Sequence, residues 1–290
     1  MLRSFAETTI TSRGAITIWL GYVLIAALIQ YSLSHTLYTD DAMGSLLIQE
    51  FRIGYTIRNP PLWEWVLWTI QQGIGPGFES HWLLRYTCIA LLGIAAFDAS
   101  RAASRNVMWA AAVTLCLPLF YPIGWGYFLR NTYSLAVVIV CLFSLSVGIR
   151  YVARPNYTKA VLLGFLVGLG LLCKYNFAIF AIALFAALLI LRDARAAIAR
   201  RESLLIPVAA LITISPFLYW LLVVNADLIG LTQRNLVTAE ASHLSRIFTG
   251  LSRELELAVG FVLPWALIAA AAAWRGRYLT RTPVAPAGPG

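Results

Sequence analysis

The sequence predicts an all-α polytopic membrane protein of about eight transmembrane helices. Three observations carry that expectation: an apolar composition, the length at which apolar blocks recur, and the side on which the basic loops fall. Hydrophobic residues make up 60% of the 290 and charged residues only 12%, with a mean hydropathy of +0.76. A soluble globular domain carries about 25% charged residues. The apolar material comes in blocks of about 15 to 22 residues, the length that crosses hydrocarbon at about 1.5 Å per residue.

The first block, Ile16 to Ser34, has no charge. A polar stretch with prolines, glycines and acids follows from His35 to about His81 and reads as a long loop. The remaining spans are expected at Trp82 to Ala99, Val107 to Pro122, Tyr133 to Ile149, Ala160 to Cys173, Phe177 to Leu191, Leu204 to Val224 and Leu257 to Trp274. Only Lys174, Tyr175 and Asn176 separate two of these blocks. Either two spans meet in a tight turn there, or one long helix is broken; the count of eight uses the turn.

Loop charge supports the turn. With Arg3 and Arg13 cytoplasmic, eight crossings put Arg101 and Arg105, Arg150, Arg154 and Lys159, Arg192, Arg195, Arg200 and Arg201, and Arg275, Arg277 and Arg281 on the same side. That is the positive-inside pattern. Most acids, including Asp40, Asp41, Glu50, Glu64 and Glu79, fall on the opposite side. The formal charge of +9 is therefore a topology signal and an attraction to anionic lipid headgroups, with no basic face that would bind nucleic acid. The expected organisation is one transmembrane domain over residues 1–280, with its N-terminus cytoplasmic and the first outer loop at 35–81, then a disordered cytoplasmic tail at 281–290. The first block is longer than a signal-peptide core and lacks a small-x-small cleavage site, so it reads as a retained anchor. Cys88, Cys116, Cys141 and Cys173 fall inside spans without CxxC spacing, as packing residues would.

The first outer loop holds most of the chemistry. After Thr39, Asp40 and Asp41, the segment Ala42 to Phe51 spaces Met43, Leu46, Leu47 and Phe51 as an interfacial helix would. Asn59, Pro60 and Pro61 then open an aromatic helix bearing Trp63, Trp65 and Trp68. Asp40 and Asp41 would cap the first of these helices, or serve chemistry. Glu64 would lie on a solvated face, or be a second carboxylate in a site. Trp63, Trp65, Trp68, Trp82 and Trp125 fit an interfacial aromatic belt, with sugar stacking as the alternative. His35, His81 and His243 have no partner at ligand spacing and read as polar loop residues.

The order of a charge-free first span, Asp40-Asp41-Ala42, Asn59-Pro60-Pro61-Leu62, Cys173-Lys174-Tyr175-Asn176 and a Pro-Phe-Leu-Tyr-Trp helix ending at Asn225 resembles the dolichyl-phosphate-mannose protein mannosyltransferase-like family. That family belongs to the GT-C membrane glycosyltransferases and includes bacterial aminoarabinose transferases. The resemblance covers roughly Ile16 to Asp227. It implies a cell-envelope enzyme of the bacterial inner membrane that moves a hexosyl or pentosyl group from a polyprenyl-phosphate donor to a lipid, glycan or protein acceptor on the extracytoplasmic face.

The resemblance makes Asp40 the leading base, with Asp41 behind it, and a divalent metal is compatible with Asp40. Lys174, Arg58 and Arg130 would meet the donor phosphate, while Asn59, Glu64, Tyr175 and Asn225 would contact substrate. The chain departs from its relatives in two places: Asn59 stands where they often have His, and Arg130-Asn131-Thr132-Tyr133 where they tend to have Thr-Pro-Asp. Relatives commonly continue with further spans and an outer domain, so acceptor recognition would be either simplified here or completed by a membrane protein partner. The rival readings are a transporter or flippase of a lipid-linked solute and a non-catalytic assembly subunit. Transport favours ionisable residues at the bilayer midplane, whereas the polar residues here concentrate in one outer loop.

Overall fold

In a computed structural model of the chain, the described residues are 11–57, 59–120, 123, 132–224 and helical positions between 248 and 270, with the side chains of Asp40, Thr132 and Asp193 left aside. Packing divides the chain into two units, Met1–Leu228 and Ile229–Gly290. The helices below belong to the first unit. The expected span Leu257 to Trp274 lies almost wholly outside the described residues, as does the expected tail.

The described residues form helices and turns without a strand. They are α1 (Ser12–Leu33), α2 (Thr39–Leu47), α3 (Leu62–Ile74), α4 (Phe78–Ser104), α5 (Val107–Cys116), α6 (Thr132–Ala153), α7 (Tyr157–Cys173), α8 (Phe177–Ile190), α9 (Arg192–Ile198) and α10 (Leu205–Tyr219). A 3-10 turn at Leu117–Leu119 extends α5, while a 3-10 turn at Arg201–Leu204 and a π turn at Trp220–Val224 flank α10. Ser12–Leu33, Phe78–Ser104, Tyr133–Ala153 and Arg201–Val224 are long and apolar enough to cross a membrane. Val107–Leu119, Tyr157–Cys173 and Phe177–Ile190 are shorter apolar helices. The chain is an all-α polytopic membrane protein, as the composition predicts.

Local rules place the helix starts. Backbone N–H groups at a helix start need acceptors, and in hydrocarbon the lack of one is costly. The side chains of Thr11, Asn106 and Asn156 supply them for α1, α5 and α7, with Gly14 N, Met108 N and Lys159 N donating at 3.0, 2.8 and 2.8 Å. In α8, Ile179, Ile182 and Ile190 are 72%, 68% and 76% exposed, an apolar surface suited to lipid.

The chain reverses at Lys174–Asn176. Lys174 is extended, Phe177 N donates to Lys174 O at 3.0 Å, and α8 returns alongside α6. Phe177 packs with Val140 and Cys173, and Leu184 and Leu188 lie beside Leu145 and Val152 further along the same two helices. The turn is therefore the right choice between the two readings of this segment. Against α10, α7 offers Gly164 and Gly168, one helical turn apart. A Cβ on Gly164 would lie 2.2 Å from Ile206 O, and one on Gly168 would lie 2.9 Å from Ala210 O. The two backbones approach as closely as small-xxx-small packing permits.

The bundle has two chemically different ends. At one, Arg150 pairs with Asp98, Lys159 Nζ donates to Arg154 O at 2.6 Å, and Tyr151 Oη donates to Ala197 O at 3.3 Å. This end collects α1, α4, α6 and α9 where their sequences carry arginines, and α7 where it carries Lys159. Helix α9 was not expected from the sequence; it occupies part of the basic loop after α8. The other end holds α2, α3 and the start of α4. The expected interfacial helix Ala42 to Phe51 begins earlier and ends sooner, at Thr39–Leu47, so both aspartates lie inside its first turn.

Overpacking costs about 1–3 kcal/mol. Gly164→Val is therefore expected to lower the thermal unfolding midpoint of the detergent-solubilised protein by several degrees. Gly21→Val, where an added Cβ meets nothing within 4 Å, is expected to leave it within about one degree.

Candidate active site

Asp41 is not a helix cap. The residue before α2 is Tyr38, which makes no side-chain cap bond, and Asp41 turns instead toward α4. Its carboxylate Oδ2 accepts from Arg85 Nη2 at 2.6 Å, and Oδ1 lies 3.7 Å from His81 Nδ1. Asp41, His81 and Arg85 are 8%, 2% and 2% exposed. His81 and Arg85 are four residues apart on α4, so one helix face presents both to the same carboxylate.

The network continues across the interfacial helices. His81 Nε2 and Ser45 Oγ are 2.8 Å apart, and Gln71 Nε2 donates to Ser45 Oγ at 3.3 Å and to Ser80 Oγ at 3.2 Å. Ser80 Oγ in turn donates to Gly77 O at 2.8 Å. Helices α2, α3 and α4 are thus tied together by buried polar groups, which hold firmly only when nearly all are satisfied.

A second carboxylate lies on α3. Glu64 is 1% exposed, so its side chain is enclosed and not on a solvated face. Tyr133 Oη at the start of α6 donates to Glu64 Oε1 at 2.7 Å, and Oε2 has no hydrogen-bond partner. Burial pushes the Glu64 carboxyl above its ordinary value, and the Tyr133 hydrogen bond pulls it only part of the way back. Trp63 packs its ring 5.6 Å from that of Tyr133.

The turn after α7 borders the same end. Lys174 Nζ donates to Ser134 Oγ at 3.3 Å, one residue from Tyr133, and Tyr175 Oη donates to Ile57 O at 2.8 Å. Tyr175 also packs against Phe217 of α10, with ring centroids 6.3 Å apart. Asn59 N donates to Thr56 Oγ1 at 3.3 Å, which shapes the loop before Pro60 and Pro61.

Of the residues expected from the sequence, Asp41, Asn59, Glu64, Lys174 and Tyr175 therefore gather at one end of the bundle. Asp40 sits in the first turn of α2, with its side chain outside the described residues, and Arg58, Arg130 and Asn225 lie outside them altogether. Among the described residues no three His, Cys, Asp or Glu side chains gather as a metal site. The tryptophans divide: Trp82 Nε1 donates to Ala27 O at 3.1 Å and Trp65 Nε1 to Arg52 O at 2.9 Å, while Trp125 lies outside the described residues.

Sequence reasoning missed Arg85 and misjudged His81, which is enclosed in the polar network. The signal was present: an arginine one turn inside an apolar span needs a partner, and such residues mark sites in membrane proteins.

Comparison with known proteins matches this architecture to a family. The sequence pattern of the dolichyl-phosphate-mannose-protein mannosyltransferases matches residues 58–220, more than half of the chain. The chain is similar to the lipopolysaccharide core galacturonosyltransferase RgtB of Rhizobium johnstonii, 29% identical over 248 residues that cover 82% of this chain and 48% of that protein. It thus spans about half the length of the curated relative it matches. No solved structure matches.

Removing one partner of a buried ion pair costs about 3–5 kcal/mol, because the other charge is left uncompensated. Arg85→Met is expected to destabilise the protein by about that amount, and adding Asp41→Asn to recover part of the loss; a thermal-unfolding double-mutant cycle reads the coupling.

A carboxyl whose value is raised on folding contributes stability below its ordinary value, about 4.5 for Glu64, and that contribution is lost as pH rises through the folded value. The unfolding midpoint of the wild type, measured against Glu64→Gln, is expected to fall as pH rises from about 4.5. The difference levels off once Glu64 is ionised. The matched profiles isolate Glu64 because Gln cannot titrate.

These matches, over the helical architecture described above, establish that the chain belongs to the dolichyl-phosphate-mannose-protein mannosyltransferase family.

Proposed function

We propose that the chain is a membrane glycosyltransferase that moves a sugar from a polyprenyl-phosphate donor to an acceptor of the cell envelope at the extracytoplasmic end of the bundle. The observation that carries this reading is the gathering of Asp41, Glu64, Arg85 and Lys174 at one end, opposite the arginine-rich end, in a chain of this family. A transferase of this kind needs a base at the acceptor and cations at the leaving phosphate. Both residue types are present there.

In the proposed reaction the base removes a proton from the acceptor hydroxyl or amine as its oxygen or nitrogen attacks the sugar's anomeric carbon. The bond from that carbon to the phosphate oxygen breaks, and the polyprenyl phosphate leaves with the electron pair. Asp41 is enclosed and committed to its ion pair with Arg85, which suits it to holding α2 in position. The base is assigned to Asp40, its neighbour in the first turn of α2. Lys174 is assigned to the donor phosphate with Arg58 and Arg130, and Glu64, Asn59, Tyr175 and Asn225 to the sugar and acceptor. A metal at Asp40 would add positive charge on the phosphate side.

The similarity to RgtB supports a glycolipid of the envelope as acceptor and a uronic acid among the donor sugars to test first. The rival transport reading gains nothing from the described helices. Among the described residues of the first unit, the acidic and basic side chains fall toward the two ends of the bundle, Asp98 with Arg150 at one and Asp41 with Arg85 at the other.

The test uses purified protein in lipid nanodiscs with a panel of radiolabelled polyprenyl-phosphate sugars and an envelope glycolipid acceptor. The expected outcome is sugar transfer with release of polyprenyl phosphate, reduced about 100-fold or more in Asp40→Asn and about ten-fold or more in Lys174→Ala. Full activity in a correctly inserted Asp40→Asn protein contradicts the assignment.

A further inference from the structure

A cavity of about 500 Å³ lies at the arginine-rich end, away from the candidate active site. Its walls come from the last turns of α6 and α8 and from α9, among them Gly148, Val152, Leu184, Ala187 and Leu191. Among the described residues lining it, Arg105 is the one cation; the others are apolar.

The cavity follows from helix lengths and residue size. Helix α8 has 14 residues, so at about 1.5 Å per residue it is about 21 Å long, short of a hydrocarbon core of about 30 Å. Helix α6 has 22 residues and runs past it. Small residues face the gap from both sides: an added Cβ on Gly148 would still sit 3.9 Å from Leu184 Cδ1. The volume falls within the range of about 300–1,000 Å³ typical of ligand pockets.

The rim is cationic. Arg105 ends α4 in a left-handed conformation with φ of 56° and is exposed. Arg154 follows the wall residue Ala153, and Arg192 and Arg195 each follow the wall residues Leu191 and Ala194 by one position. These three arginines are exposed. An apolar slot that runs beside a transmembrane helix and ends in arginines matches a molecule with a hydrocarbon tail and a negative head.

We propose that this cavity binds an anionic membrane phospholipid, with one acyl chain between α6 and α8 and the phosphate held by Arg105. The bound lipid fills the gap left by the short α8 and ties its end to α4 and α6. The site is independent of the transferase reading, since no residue of it belongs to the candidate active site.

The test takes the full chain, delipidated in detergent, and titrates it with phosphatidylglycerol or phosphatidylcholine of identical acyl chains. Native mass spectrometry counts bound lipid, and the unfolding midpoint reports stabilisation. Phosphatidylglycerol is expected to bind more tightly and to raise the midpoint. Arg105→Gln is expected to weaken phosphatidylglycerol about five-fold, the effect of one cation near a lipid headgroup, and to leave phosphatidylcholine unchanged. Gly148→Leu, which fills the slot, is expected to weaken both lipids; Ala187→Leu serves in its place if the lipid-free midpoint shows that Gly148→Leu is misfolded. Equal affinity for the two lipids, a phosphatidylglycerol preference undiminished in Arg105→Gln, undiminished binding by a folded slot-filling variant, or the same midpoint shift from inorganic phosphate alone would each overturn the proposal.

Discussion

A carboxylate at the edge of hydrocarbon persists only if a cation and hydrogen-bond donors replace the water it has lost. Asp41 meets that condition through Arg85 and the nearby His81, and the consequences reach well beyond the pair. Because Arg85 and His81 share one face of α4 and Asp41 belongs to α2, the ion pair sets where α2 rests on the bundle. Ser45, Gln71 and Ser80 extend the same constraint to α3. The first turn of α2, with Asp40 in it, is thereby held at the end where Lys174 and Glu64 also lie.

The two ends of the bundle solve opposite electrostatic problems. At the arginine-rich end, charge is exposed, partly paired through Asp98 and Arg150, and available to lipid headgroups. At the other end, charge is enclosed: Asp41 and Glu64 are both removed from solvent, one beside a guanidinium and the other beside a tyrosine hydroxyl. Burial raises Glu64, while Asp41 lies in an ion pair with Arg85 at 2.6 Å.

Much of the fold was legible in the sequence because the bilayer leaves few choices. The apolar blocks among the described residues are helices, and Lys174-Tyr175-Asn176 is a turn, the choice the loop charges favoured. The interfacial helix at Thr39–Leu47 was legible in kind but not in extent. Its apolar spacing continues to Phe51 while the helix stops earlier, and the aspartates that resemble caps lie inside it. Among the residues that gather at one end of the bundle, Asp41, Lys174 and Tyr175 were named as site candidates from motif order. Arg85 was signalled by its place one turn inside an apolar span, but its partner was not legible, because that partner is 44 residues away. Glu64 was ambiguous for a related reason: one polar residue among tryptophans fits a solvated face equally well until Tyr133, 69 residues on, is seen to cover it.

The proposed transferase requires the enclosed acidic end to face outward and the arginine-rich end to face the cytoplasm. Cysteine labelling of intact cells tests this in a variant with Cys88, Cys116, Cys141 and Cys173 replaced by alanine, of which Cys88 and Cys173 are buried and Cys116 and Cys141 partly so. Glu50, whose side chain is 76% exposed in the first loop, and Arg101, exposed in the last turn of α4, mark the two ends. A membrane-impermeant maleimide added outside is predicted to modify Glu50→Cys at once and Arg101→Cys only after the membrane is permeabilised. Modification of Arg101→Cys from outside, with Glu50→Cys protected until permeabilisation, would contradict the account.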